Sequence, residues 1–407
     1  MNRKRLTKLM QQHDLEAVVG TSVQSLVYAF GYEVFEGILN HFGQAVVIPR
    51  DSQVPAIAVL PTLEVGYAID AGLDRETKVQ IFGQPSKEAT PSIWDGRYDA
   101  LMAQAQPSIV DAIAAALDES GVHGRVAVDS NGHPSVPELA ARITSCEFAD
   151  HGEDIIYLAR LVKTPAEIEK LRRAQVINES AMQAVVAAAG DYTVVEAGSL
   201  FVKIVTDGGG IPLHFLLHEG GAFRHWGYGG RRMVAGIPGR ADKPIERGRR
   251  YSYDAGLLYQ GYVSDLGGTF LLGCDPSEDD RRIYGALSAG IEAGLQEIRP
   301  GMRASELKAI VESAVRKNGM PDLPPRGMVG HFIGLDHLEG WIGNPVSTHS
   351  PFLPNPFDIE FEENMVLNFE LFLADPGQTG YQYELAAAVT KSGAAPISAL
   401  RALQVIA

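Results

Sequence analysis

Cysteine is scarce in this chain. Of 407 residues only Cys146 and Cys274 are cysteines, far apart in sequence. One distant pair builds neither a disulfide framework nor a cysteine-based zinc site, and both thiols read as small core residues. Long apolar runs are missing as well: nothing approaches the ~18 consecutive apolar residues of a membrane helix. The opening MNRKRLTKLMQQHDLE lacks the apolar stretch of a secretory signal, so a cytoplasmic protein is expected. Basic charge is also in deficit. A formal net charge of −15 argues against nucleic acid or anionic membrane as a partner, because both recruit a basic face. Residues 1–150 hold no glycine-rich phosphate loop and no cluster of His, Asp or Glu. Support or oligomerisation is therefore their expected role.

What is present points to a two-domain protein, since a single hydrophobic core stops growing at roughly 250–300 residues. A composition 45% hydrophobic and 21% charged belongs to a soluble globular chain. In the N-terminal part, EAVVGTS (Glu16–Ser22), QAVVIPR (Gln44–Arg50), PAIAVLP (Pro55–Pro61), VQIFG (Val79–Gly83) and RVAVDS (Arg125–Ser130) are short apolar, β-branched runs. SIVDAIAAALDESG (Ser108–Gly121) carries apolar residues at helical spacing instead, so this part reads as α/β. A long helical segment follows, with Thr164 as N-cap, Pro165 as first residue, Glu167 closing a capping pattern and Gly190 as stop. It places the boundary near residues 155–165, giving domains 1–155 and 156–407. Beyond it, helices expected at Ser277–Arg299 and Ala304–Asn318 stand apart from runs of paired strands. That segregation predicts an α+β arrangement rather than a parallel doubly wound sheet.

Five metal-seeking side chains sit inside strand-like strings of the second part: Asp254 in YSYDAG, Asp265 in YVSDLGGTF, His331 in GHFIG, Glu370 in VLNFELFL and Glu384 in YQYELAAAVT. A strand interior normally rejects carboxylates, because burying one is costly unless a cation or tight hydrogen bonding compensates. Asp254 and Asp265 are spaced for two antiparallel strands joined through the Gly256–Gly261 region, and Glu370 and Glu384 for two strands joined at the DPGQTG turn, Asp375–Gly380. Two hairpins would then face each other across a cleft, with His331 between them in sequence. Four carboxylates and one imidazole can hold two divalent ions, with Mn²⁺, Fe²⁺, Co²⁺ or Zn²⁺ suited to such donors.

The order Asp, Asp, His, Glu, Glu, carried by DAG, SDLGGTF, GHFIGLD and VLNFE, resembles the pita-bread superfamily of methionine aminopeptidase, aminopeptidase P, prolidase and creatinase. LVKTPAEIEKLRRA resembles the opening of the catalytic domain there, and the N-terminal half resembles the extra α/β domain of aminopeptidase P, prolidase and creatinase. The resemblance implies a pita-bread catalytic domain behind a creatinase-type domain. It makes Asp265 and Glu384 the bridging ligands, Asp254 a ligand of one ion, and His331 with Glu370 ligands of the other. Two bridged ions would hold a hydroxide as nucleophile and polarise a scissile carbonyl, with Glu370 moving the proton. It also implies a homodimer. Creatinase lacks the ligands that this chain keeps, so a metal-free amidinohydrolase is disfavoured.

The surroundings depart from that pattern. The peptidases follow the ligand histidine with a stretch like GLDVHE, whereas this chain reads GLDHLE, putting His337, a candidate catalytic residue touching substrate, one place early. In a strand that shift would reverse its side chain, a rule that lapses if the segment is a loop, and a surface or core residue is the alternative. Gly267 and Gly268 stand where Thr and Arg are common, and Gln382 and Leu385 where Arg and Asp usually flank the last ligand; changes of this kind alter chemistry or substrate more than metal retention. Upstream, HFLLHEGGAFRHWGYGGRRMVAGIPGR offers His214, His218 and His225 as the expected preceding histidine, and His225 beside Trp226 is preferred. The glycines around Arg231 and Arg232 suggest a mobile loop that brings guanidinium groups to a substrate carboxylate, a solvated surface loop being the alternative. Trp226, Trp341, Phe352 and Phe357 suggest an aromatic rim.

The expected function is a two-metal hydrolase of the Xaa-Pro aminopeptidase or prolidase type acting on a small or short-peptide substrate. The alternative is a non-peptidase on the same scaffold, for which dimethylsulfoniopropionate lyase is the precedent. A metal-free binding module of the same fold is disfavoured by the complete ligand set.

Overall fold

The computed structural model describes residues 1–32, 43–84, 96–129, 133–219, 226–229, 232–234, 244–320, 329–340, 342, 350–353, 355, 358–375, 379–399 and 403–406. The chain forms two compact units, Met1–Arg160 with Thr348–Pro354, and Leu161–Ser347 with Asn355–Ala407. Thr348–Pro354 belongs to the first unit, so Phe352 of the expected aromatic rim falls there.

In the first unit the order is α1 (Arg3–Gln12), β1 (Ala17–Gly20), α2 (Val23–Phe30), β2 (Ala45–Pro49), β3 (Ile57–Pro61), α3 (Val65–Asp70), α4 (Leu73–Glu76), β4 (Lys78–Phe82), α5 (Arg97–Met102), α6 (Ile109–Glu119), β5 (Arg125–Val128), α7 (Val136–Arg142), β6 (Glu147–Ala149) and α8 (Gly152–Leu161). All five apolar runs become strands of one six-stranded sheet, ordered β4-β3-β2-β1-β5-β6. Its β1–β2 and β2–β3 pairs are antiparallel and the others parallel. Val19, Val47 and Val59 pack against Ile109, Ile113 and Leu117 of α6, while Ala58 and Leu60 meet Leu26, Val65 and Ile69 on the other face. Helices on both faces explain why the strands read as unbroken apolar runs and not as alternating ones.

The second unit opens with α9 (Pro165–Ala188), whose cap is reciprocal: Glu167 N donates to Thr164 Oγ1 at 3.3 Å and Thr164 N to Glu167 Oε2 at 2.8 Å. The expected stop at Gly190 falls inside a further 3₁₀ turn, Ala189–Asp191, before α10 (Val194–Asp207). Strands β7 (Ile211–Glu219), β8 (Trp226–Gly229), β9 (Arg232–Val234), β10 (Arg249–Tyr259) and β11 (Tyr262–Leu272) precede α11 (Glu278–Glu297) and α12 (Ala304–Lys317). Then come β12 (His331–Phe332), β13 (Val366–Asp375), β14 (Thr379–Thr390), β15 (Gly393–Pro396) and β16 (Gln404–Ile406). They make two sheets, β16-β11-β10-β7-β8-β9 and β12-β13-β14-β15. Helices and strand runs are segregated, as an α+β domain requires. No helix among the described residues is long and apolar enough to cross a membrane.

Strand alternation decides what each face carries. On the first sheet Phe215, Leu217, Tyr251, Tyr253, Ala255, Leu266 and Phe270 form a core with Ala181, Val185, Phe201 and Val205 of α9 and α10. His214, Asp254, Gly256, Asp265 and Gly267 occupy the alternate positions and so take the face away from those helices. On the second sheet Phe369 and Leu371 approach the glycines of α11, and Tyr383 stacks on Tyr284 of that helix at 5.3 Å. Asn368, Glu370, Gln382 and Glu384 again take the alternate positions. The two polar faces meet where Thr269 Oγ1 of β11 donates to Gln382 O at 3.0 Å and accepts from Gln382 N at 2.9 Å on β14.

Candidate metal centre

Asp265 lies at the middle of the site. Gly256 is its partner on β10, and His214 on β7 is Gly256's partner on the other side. A Cβ on Gly256 would stand 2.3 Å from His214 Cε1, so the glycine is what lets the imidazole lie over β10. From there His214 Nε2 reaches Asp254 Oδ1 at 2.7 Å and approaches Asp265 Oδ1 at 3.5 Å. Burial alone would lower the His214 imidazole, but the Asp254 carboxylate and then Asp265 outweigh it and push it up to about 10. The strand runs on through Gly256 to Tyr259. The expected turn over Gly256–Gly261 is therefore confined to Gln260 and Gly261, both at positive φ.

His331 sits on the short strand β12, opposite Asn368 of β13. Gly330 before it, at φ +138°, brings the backbone so close that a Cβ would lie 2.0 Å from Asn368 O. His331 Nδ1 is 3.1 Å from the Phe332 carbonyl, which engages that nitrogen and leaves Nε2 facing Asp265 Oδ2 at 3.3 Å and Glu384 Oε1 at 3.8 Å. An imidazole oriented through its other nitrogen is the usual arrangement of a metal-ligating histidine.

Glu370 and Glu384 are cross-strand partners in the β13–β14 register. Burial raises the Glu370 carboxyl to about 7; His331 opposes that rise, while Asp254 and Asp265 add to it. Glu384 is raised well above the usual carboxylate range by burial, then by the charges of Asp265 and Glu370. It accepts hydrogen bonds from Asn368 Nδ2 and from Gln382 Nε2 at 3.4 Å. The two departures noted in sequence, Gly267 and Gln382, belong together. A Cβ on Gly267 would stand 2.5 Å from both Gln382 Nε2 and Glu384 Oε2, so the missing side chain makes room for the amide.

His337 points into the site despite its shifted position. Its Nε2 is 3.2 Å from Asp265 Oδ2, and its side chain remains 38% exposed. Residues 333–340 form a loop and not a strand, so the reversal expected from a one-residue shift does not apply. The loop is held by Glu339, which pairs with Lys163 Nζ at 2.5 Å with both side chains 1% exposed. Glu339 also accepts Leu335 N at 2.9 Å, and Val263 N of β11 donates to Gly334 O at 2.8 Å.

The residues present fit divalent cations. Ligand atoms of Asp265, His331 and Glu384 all lie within 4.8 Å of one another, as do those of His214, Asp265 and His337. Asp265 Oδ1 is buried and accepts no hydrogen bond, and an unsatisfied buried carboxylate oxygen costs free energy unless a cation meets it. Of the substrate-side expectations, His225 and Arg231 lie outside the described residues, as do Trp341 and Phe357 of the supposed rim. Trp226 and Arg232 fall on β8 and β9, with side chains outside the description. Phe352 is no part of an open rim: it is buried in the N-terminal unit, edge-on to His13 at 5.1 Å. Sequence reading overlooked Asn368 and the Lys163–Glu339 pair, and passed over His214 for His225. The signal for His214 was its alternation with the apolar Phe215 and Leu217.

Comparison with known proteins bears on the family and the fold. An Xaa-Pro dipeptidase of Pyrococcus furiosus is 28% identical over 60% of this chain, a match that spans 64% of that relative's length. An Xaa-Pro dipeptidase of Lactobacillus delbrueckii subsp. lactis is 25% identical over 77% of this chain and 80% of its own. In fold, dipeptidase PepE of Mycobacterium ulcerans superposes with a TM-score of 0.71 at 22% identity, covering 100% of this chain and 97% of that one. The sequence pattern of one family runs over residues 169–391 and takes in all five expected ligands. The chain belongs to metallopeptidase family M24.

Proposed function

We propose that the protein is a metal-dependent peptidase of the Xaa-Pro dipeptidase or aminopeptidase type, cleaving a short peptide with two divalent ions bound by Asp254, Asp265, His331, Glu370 and Glu384. The observation that carries this reading is the convergence of ligand atoms of Asp265, His331 and Glu384 within 4.8 Å of one another, together with a buried Asp265 oxygen, Oδ1, that accepts no hydrogen bond. Relatives described as Xaa-Pro dipeptidases support the substrate class. When bound, a pair of divalent ions supplies an activated water and polarises the scissile carbonyl.

The chain's own residues account for the rest. Asp265 and Glu384 stand on adjoining strands of the two sheets, the positions from which bridging is possible. Asn368 and Gln382 fix the rotamer of Glu384. Glu370, which lies among the same acids and His331, is the group suited to take a proton from the attacking water and return it to the leaving amine. We further hold Mn²⁺, Fe²⁺, Co²⁺ or Zn²⁺ to be the ions and a cytoplasmic homodimer to be the working form. The acidic balance of −15 supports a protein without nucleic-acid or membrane partners.

The lyase alternative is not favoured by relatives described as dipeptidases. Offering the metal-loaded protein Xaa-Pro dipeptides, Xaa-Pro-Yaa tripeptides and dimethylsulfoniopropionate in parallel decides between them. Amine release from the peptides alone is the expected result, and dimethyl sulfide release without peptide cleavage would overturn the proposal. Metal analysis of Asp265→Ala and Glu384→Ala is expected to show the loss of roughly two equivalents relative to the unsubstituted chain.

A further inference from the structure

The two groups of converging ligand atoms share Asp265, and the second of them contains residues outside the five-ligand pattern. His214 and His337 both turn Nε2 toward the same carboxylate, at 3.5 Å from Oδ1 and 3.2 Å from Oδ2. His214 Nε2 also lies 2.7 Å from Asp254 Oδ1. The two rings stand edge to face with centroids 5.0 Å apart, so neither blocks the other's nitrogen. Donor atoms about 2.1 Å from a common tetrahedral ion are separated by about 3.4 Å. Each nitrogen keeps about that spacing from the Asp265 oxygen it faces, and the 2.7 Å contact of His214 with Asp254 Oδ1 has to open for an ion to enter. Two imidazoles, from β7 and the 333–340 loop, thus flank the Asp265 carboxylate, His214 facing the oxygen that accepts no hydrogen bond and His337 facing the other.

We infer that His214 and His337 are direct ligands of the ion held by Asp254 and Asp265, so that the metal pair is bound by three imidazoles and not one. The inference rests on the two-ion reading above and adds ligands to one of its positions. The one-place shift of His337 is then functional: from a loop clamped by Lys163 and Glu339, the ring is delivered to the ion and not to the substrate space beyond it. The extra nitrogen donors move that position's preference toward Zn²⁺, Co²⁺ or Fe²⁺ and away from Mn²⁺.

The test is a Co²⁺ titration of the chelator-stripped full-length protein, reading bound equivalents by equilibrium dialysis and the visible d–d absorption of the bound ion. Unsubstituted protein, His214→Ala, His337→Ala and His337→Gln are compared, with circular dichroism of each metal-free protein as the check on folding. His337 is partly exposed, so His337→Gln keeps a folded comparison if the alanine variants fail. Expected are two equivalents in the unsubstituted chain and, in each variant, one position weakened by more than roughly 100-fold, beyond what losing a merely supporting partner costs. The d–d band should change in the direction of fewer nitrogen donors. Variants that keep the affinity and spectrum of the unsubstituted chain, with a raised KM as their only change, would make both histidines substrate contacts and overturn the inference. A single equivalent in the unsubstituted protein would instead defeat the two-ion reading, and the same spectral comparison on that ion would still decide the histidines.

Discussion

Gly256 and His214 face each other across the β7–β10 pairing, and the glycine has no Cβ because the imidazole occupies that space. Gly256→Ala would place a methyl 2.3 Å from the ring. The added carbon points to the site face, away from the α9 and α10 core, so the fold is expected to persist while His214 is driven off Asp254. Metal retained after dialysis should fall in this variant with little change in circular dichroism. Full metal retention would show that His214 does not need its present position.

Gln382 holds one oxygen of Glu384 at 3.4 Å, in space left by Gly267. Gln382→Ala is expected to weaken metal binding by roughly 10- to 100-fold, the usual cost of losing a ligand's supporting partner. Competition against a chromogenic chelator measures this. An unchanged affinity would leave Asn368 as the sole orienting group of Glu384.

Lys163 and Glu339 are each 1% exposed and paired at 2.5 Å. Lys163→Met takes the ammonium away from a buried carboxylate and should cost about 3–5 kcal/mol, whereas Lys163→Met combined with Glu339→Leu should recover most of it. Urea unfolding of the single and double variants gives the comparison. Because the pair clamps the loop bearing His337, the single variant should also lose metal more readily than the double one.

Asp129 in the N-terminal unit accepts Thr21 N at 2.6 Å, and its other oxygen is buried without a partner. Burial raises its carboxyl to about 6, against the lowering effect of the Thr21 backbone hydrogen bond. The unfolded chain ionises this group near pH 4 and the folded chain only near pH 6, so its contribution to stability is greatest below about pH 4 and declines as pH rises to about 6. Asp129→Asn removes that decline. Between pH 4 and 7 the variant's stability relative to the unsubstituted chain should rise by on the order of 3 kcal/mol, read from unfolding at the two pH values. A constant difference would mean that Asp129 titrates normally.

Much of the centre was legible because a carboxylate inside an apolar strand needs a reason. Asp254, Asp265, Glu370 and Glu384 announced themselves that way, and the spacing within each pair matched a hairpin that the structure contains. His214 was harder. Its claim over His225 depends on pairing between β7 and β10, 40 residues apart at His214 and Asp254, and local spacing carries no such long-range information. The direction of His337 was open in the sequence, because strand alternation and a loop give different answers and the loop's geometry is set by Glu339, Gly334 and a lysine 176 residues away. Gly267 and Gln382 looked like two separate departures until their shared volume was visible.

The M24 pattern begins at residue 169, beyond Lys163. A fragment cut at that border would retain all five expected ligands together with His214 and His337, and still be expected to disappoint. Its Glu339 would be interred without the Lys163 ammonium, and the segment it anchors would hold His337 less firmly. The catalytic half of this protein thus begins, in physical terms, earlier than the family's recurring sequence does.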